Sequence, residues 1–188
     1  VLTPSGKIWL DGMKNRIDRA QMRDNISRTI HVNEYAEMVD LMQVRKLIEV
    51  DAARLAAENA TDEDIRRLEA TLQLHHRYVE DNVDPVDPAL DFHLAVTQAS
   101  HNKFMAAVLS LLVFEEKQIE ATIEVLRTRE MGSVYVVEHD DIMQAIREHN
   151  PQRAESLMEA HMQAILDEVE KQVEEFDENN EDLPRWIR

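Results

Sequence analysis

What most restricts the fold of this chain is how rarely it is interrupted. Its 188 residues include only three glycines and five prolines, and long stretches of Ala, Leu, Glu, Gln, Arg and Met run between them. Those residue types lose little rotamer freedom in a helix and form helices readily. The expectation is an all-α chain. The breaks that do occur carry start and stop chemistry. Thr61-Asp-Glu-Asp64 reads as a capping box, with a hydroxyl at the cap and an acid three residues later. Asp87-Pro88 and Asn150-Pro151 each pair a capping side chain with a proline, whose missing N–H is not needed in a first helical turn. Asn102 is placed to cap a further helix, and Gly132-Ser133 reads as a break followed by a cap.

Between these marks the apolar residues recur at three and four. Helices are expected over residues 33–60, 62–81, 87–100, 102–127, 134–149 and 150–176. In the first, Tyr35, Met38, Val39, Met42, Leu47, Ile48, Val50, Leu55 and Ala56 form the stripe, while Arg45 and Glu49 are spaced to meet on one face. The second carries Ile65, Leu68, Leu72, His75 and Val79. The fourth is apolar from Met105 to Phe114, as a central helix would be, with Phe104, Val108, Leu111, Leu112, Ile119, Ile123 and Leu126 read as its inward face. Glu174 to Asp182 is an acidic run, expected to be a solvated tail.

Charge narrows the partners. The chain holds 38 acidic against 21 basic residues, a net −17 with histidines neutral, and a phosphate backbone would repel that surface. Only residues 1–31 differ: Lys7, Lys14, Arg16, Arg19, Arg23 and Arg28 outnumber Asp11, Asp18 and Asp24. They read as a connector, a docking helix or a leader. With no cysteine there can be neither disulfides nor thiolate metal ligands. No apolar run approaches the roughly 20 residues that span a bilayer, and no secretory signal pattern is present, so a cytoplasmic location is expected. Glycine-rich phosphate loops and G-x-S-x-G are missing as well.

The histidines carry the chemistry. Among eight, His93, His139 and His161 each sit on the apolar stripe of a different helix. His31, His101 and His149 fall at helix ends or loops, and only one of His75 and His76 can face the core. An imidazole on an inward face is costly unless both ring nitrogens find partners. The three are therefore either satisfied core groups or ligands that converge on a divalent metal. Zinc, nickel, manganese and iron all suit imidazole donors, with zinc, nickel and manganese foremost.

Taken in order, certain segments resemble the effector-binding (FCD) domain of FadR-type GntR transcription regulators. They are Val44-Arg-Lys-Leu-Ile-Glu49 with Ala52-Ala-Arg-Leu-Ala-Ala57, Asp91-Phe-His-Leu-Ala-Val96 with Ala99-Ser-His-Asn102, Glu138-His-Asp-Asp-Ile-Met-Gln-Ala-Ile146, and Ala154 to His161. The resemblance implies an antiparallel bundle of six to seven helices around a central ligand cavity, over residues 32–177. In many members of that family one aspartate and three histidines hold a metal in the central cavity that helps bind a small carboxylate. His93, His139 and His161 match the histidine positions. The aspartate position, four residues before the first histidine, is Ala89 here, and Asp91 lies roughly 200° round the helix from His93. Such regulators read DNA as homodimers, through a winged-helix domain that precedes this one.

The expected function is thus a ligand-gated sensor that contacts DNA only through a domain outside this chain, with residues 1–31 as the connector and 178–188 as a tail. The guanidinium fork of Arg45 suits the carboxylate of an effector, and Asn102 can add a hydrogen bond. Plain structural roles compete with both: an ion pair to Glu49 and a helix cap. Two rivals stand beside the sensor. A metalloenzyme would need a base such as Asp91 or Asp140, and a metal-free interaction module would keep the histidines as core groups.

Overall fold

Side chains at the helix starts supply the hydrogen bonds that a helix cannot make for its own first N–H groups. The computed structural model describes residues 36–120 and 128–179, together with 3, 7, 13, 14, 21, 22, 25, 26 and 28–32. Six helices run through the two long stretches: α1 (Glu37–Asn59), α2 (Asp62–Glu80), α3 (Val86–Ala99), α4 (Lys103–Glu120), α5 (Thr128–Arg147) and α6 (Pro151–Asn179). No strand occurs among the described residues. Backbone packing divides the chain into two units, Val1–His31 and Val32–Arg188. In the first, Thr29 Oγ1 and Arg28 both bond to Asn25, one turn back.

The capping box forms: Asp64 N–H donates to Thr61 Oγ1 at 3.3 Å, and Thr61 N–H donates to Asp64 Oδ2 at 2.9 Å. Asn102 Oδ1 accepts from the N–H groups of Phe104 and Met105, and Asn150 Oδ1 from that of Arg153. At α3 the expected cap does not form. The carboxylate of Asp84 takes the N–H of Val86 at 3.1 Å, so the helix begins earlier and Asp87 falls inside its first turn, ion-paired to Lys117. Asn82, His101 and His149 end α2, α3 and α5 with positive φ, the left-handed residue that closes a helix. His101 and His149 are further tied down, to Asp64 and to the Ala57 carbonyl.

Gly132-Ser133 is not a break. α5 starts at Thr128 and passes straight through both residues. One interior glycine costs about 1 kcal/mol against alanine, which tertiary packing overrides. The glycine lets the helix approach the α2–α3 turn: a Cβ there would stand 2.9 Å from Pro85 Cγ and 3.3 Å from Val79 Cγ2.

The bundle closes around α1, which lies along α6 and also meets α3, α4 and α5. Ala52, Ala53, Ala56 and Ala57 are fully buried on α1, and such small side chains let neighbouring helices come close. Phe92, Val96, Leu68, Leu72, Ile142, Ile146, Met158 and Met162 complete the core. Two helices sit in a different phase from the expected one. On α1 the inward positions beside Met42 belong to Arg45 and Glu49, while Leu47 is 76% exposed. On α4, Leu109 and Val113 are buried, whereas Phe104, Val108 and Leu111 are exposed. A helix that is apolar all round gives no period from which to read its phase. Ile123, Leu126, Arg127, Tyr35, Trp9 and residues 180–188 lie outside the described residues, as does the side chain of Ile119.

Candidate metal centre

Three helices each deliver one buried histidine to the same point. His93 projects from α3, His139 from α5 and His161 from α6, and all three are at most 2% exposed. One ring nitrogen of each lies within 4.8 Å of the others. The facing atoms are Nε2: His139 to His161 is 3.1 Å, and His161 to His93 is 3.3 Å. Phe92 stacks on the His139 ring at 4.3 Å, and Tyr135 meets His161 edge-on at 5.6 Å. These contacts fix the ring planes.

Each outer nitrogen faces its own neighbour. His93 Nδ1 lies against Glu49 Oε2, His161 Nδ1 is 2.6 Å from Glu138 Oε2, and His139 Nδ1 is 3.3 Å from His75 Nδ1. Burial pushes the Glu49 carboxyl up, but Arg45 and His93 more than reverse this and hold it at about 2. An ionised carboxylate can only accept, so the proton between Glu49 and His93 belongs to His93 Nδ1. Burial, partly offset by Glu49, lowers His93 to about 4, and burial with the neighbouring imidazoles carries His139 well below its ordinary value. His93 is therefore neutral near pH 7, with a lone pair on Nε2. His161 Nδ1 likewise faces the Glu138 carboxylate, an acceptor, and that tautomer turns the Nε2 lone pair toward His93.

Two lone pairs 3.3 Å apart do not make a hydrogen bond; they make a place for a cation. The separations of 3.1 and 3.3 Å fit one. Ligand nitrogens at ~2.1 Å from an ion stand ~3.0–3.4 Å from each other in octahedral or tetrahedral sets. Carboxylates behind the ligating imidazoles fix the tautomer and raise the basicity of the ligand. The donor set and its surroundings fit a divalent metal.

Beside the triad lies a small cavity of about 20 Å³, lined by Arg45, Ala89, Leu90, Glu116, Tyr135 and the three histidines among others. Ala89 faces it where the family pattern has the aspartate. Arg45 is 1% exposed and held between two carboxylates, Glu49 at 2.7 Å from Nε and Glu116 at Nη1. Burial raises the Glu116 carboxyl, with Arg45 pulling down and Glu49 pushing up. Arg45 Nη2 and Glu116 Oε1 are buried with no hydrogen-bond partner. Asn102 is elsewhere: its carboxamide caps α4, and it is not among the residues lining the cavity.

The FCD domain family matches residues 40–164. This chain belongs to the FCD family. It is 30% identical over 127 residues to the HTH-type transcriptional repressor NanR of Klebsiella aerogenes, covering 65% of this chain and 47% of that protein. The chain thus spans about half the length of the curated relatives it matches. Among solved structures it resembles Streptococcus agalactiae GntR, with a TM-score of 0.59 and 25% identity, covering 69% of this chain and 57% of that one. E. coli McbR/YncC shares the fold, with a TM-score of 0.57 and 19% identity over 73% of this chain and 66% of that one.

The FCD site contains four residues that sequence reading did not assign to it. His75 is fully buried beside His139, and its sequence neighbour His76 points out to Asp140. Its signal was present, since His75 continues the stripe of Leu68 and Leu72. Glu49 was visible only as the i+4 partner of Arg45. Glu138 adjoins His139 in sequence yet serves His161, which no spacing rule reveals. Glu116, at the end of an apolar run, gave no signal.

Proposed function

We propose that this FCD domain is the ligand-sensing half of a bacterial transcription regulator, binding a small organic acid at a divalent metal held by His93, His139 and His161. The observation that carries this is the meeting of three buried Nε2 atoms, two of them with their outer nitrogens against carboxylates. A bound cation would supply an electropositive centre for an anionic ligand. Zinc, nickel and manganese are the candidates that the nitrogen donors suit.

The protein's own groups set the rest. A cavity of about 20 Å³ takes one water or one ion, given that a water needs roughly 10–15 Å³, but not a carboxylic acid. An acid therefore enters only by parting the lining, and its carboxylate meets Arg45, whose guanidinium fork is engaged by Glu49 and Glu116. Replacing Glu116 at Arg45 would free α4 from an ion pair linking it to α1. An effector shifts such an equilibrium only by its differential affinity for the two arrangements. In the proposed regulator the shift passes to a winged-helix domain outside this sequence, within a homodimer whose two-fold axis matches that of an operator. Asn102 remains a helix cap in this account. The relatives are named as repressors, which favours a sensor over the metalloenzyme.

Metal analysis combined with thermal unfolding tests the proposal. Zinc, nickel or manganese should raise the melting temperature of metal-free protein, and one acid among lactate, pyruvate, sugar acids and dicarboxylates should raise it further only when metal is present. A protein that purifies without metal and is unaffected by all three ions would leave the histidines as core groups.

A further inference from the structure

We propose that His75 is the positioning residue for the third imidazole, holding His139 in the tautomer that turns its Nε2 lone pair toward His93 and His161. The inference rests on the metal-site reading and adds a residue to it. His93 and His161 have carboxylates behind them, which can only accept, so their tautomers are fixed. His139 has an imidazole instead, His75 Nδ1 at 3.3 Å, and an imidazole nitrogen can either give or take a proton. Phe92 stacks on the His139 ring and holds its plane, but stacking does not choose between the two nitrogens.

Two arrangements of protons are therefore complete. In the closed one, His75 Nδ1–H donates to His139 Nδ1, and His139 Nε2–H donates to His161 Nε2 at 3.1 Å. The site is then sealed by a hydrogen bond. In the open one, His139 Nδ1–H donates to His75 Nδ1, three lone pairs converge, and the proton of His75 sits on Nε2. That nitrogen is buried and has no hydrogen-bond partner. The closed arrangement makes one more hydrogen bond, so it is preferred without metal, and a cation among the three nitrogens draws the pair into the open one. His75 never touches the ion, yet its proton must move from Nδ1 to Nε2 when the ion binds.

Nitrogen-15 histidine spectra of the whole chain, with and without zinc, read this directly. The expected result is His75 protonated on Nδ1 in metal-free protein and on Nε2 after zinc is added, with His139 protonated on Nδ1 in the loaded form. His75→Leu removes both donor and acceptor and should weaken zinc binding about 10–100-fold. His75→Asn, whose carboxamide oxygen occupies the place of Nδ1, should recover most of that loss. A His75 tautomer unchanged by zinc, or a His75→Leu protein that binds zinc as the wild type does, overturns the role of His75 while leaving the three-histidine site standing. A wild-type chain that takes up no zinc overturns both.

Discussion

In the proposed sensor, Arg45 is the residue on which acid binding turns. A guanidinium that is 1% exposed cannot remain without counter-charges, and Glu49 and Glu116 supply them from α1 and α4. The two acids are not equivalent. Glu49 is held at about 2 and also anchors His93, so its charge is committed to the site. Glu116 is raised, and one of its oxygens has no partner. In the proposed sensor it is the carboxylate that an incoming acid would replace. Glu116→Gln keeps the shape and removes the charge, so the bond lost to a competing acid is no longer charge-assisted. With such bonds contributing about 1.5–3 kcal/mol, zinc-loaded Glu116→Gln protein should bind its carboxylate effector about tenfold more tightly. Calorimetric titration of wild type and variant with the same acid checks this. Equal or weaker binding by the variant would remove Glu116 from the account.

At the scale of the helices, α5 shows how packing overrules local signals. Alanine in place of a glycine inside a helix normally stabilises by roughly 0.5–1 kcal/mol. At Gly132 the added Cβ would meet the Pro85 ring at 2.9 Å, and overpacking of this kind costs about 1–3 kcal/mol. Gly132→Ala should therefore lower stability by about 1 kcal/mol in denaturant unfolding, and a stabilised variant would show that the close approach is not tight. The same helix explains what could be read from the sequence. Caps at Thr61, Asn102 and Asn150 were legible because each is decided within three residues. Gly132 was misread because its reason lies on α2 and the turn after it. The phase of α4 was misread because Phe104 and Leu109 are equally apolar, and only the fold decides which is covered. On α1 the pattern misled because two inward positions belong to charged residues, Arg45 and Glu49, which pair inside the bundle.

The whole molecule assembles what no segment contains. The three candidate ligand positions are separated by 46 and 22 residues, and each was legible only as a histidine on an apolar stripe. Their convergence came from the order of the family segments, and the bundle brings the rings together. Less of their surroundings was legible: Glu116 and Glu138 reach the site through tertiary packing alone, and His75 showed only as a member of the α2 stripe. The arrangement places several charged groups inside a chain of net −17, a cost that a bound cation would offset. X-ray absorption at the zinc edge of the loaded protein tests this most directly. The account predicts one ion per chain, with three imidazole nitrogens at about 2.0–2.1 Å and oxygen in the remaining positions. A spectrum without imidazole scattering, or one unchanged when His93, His139 and His161 are each replaced by alanine, would contradict it.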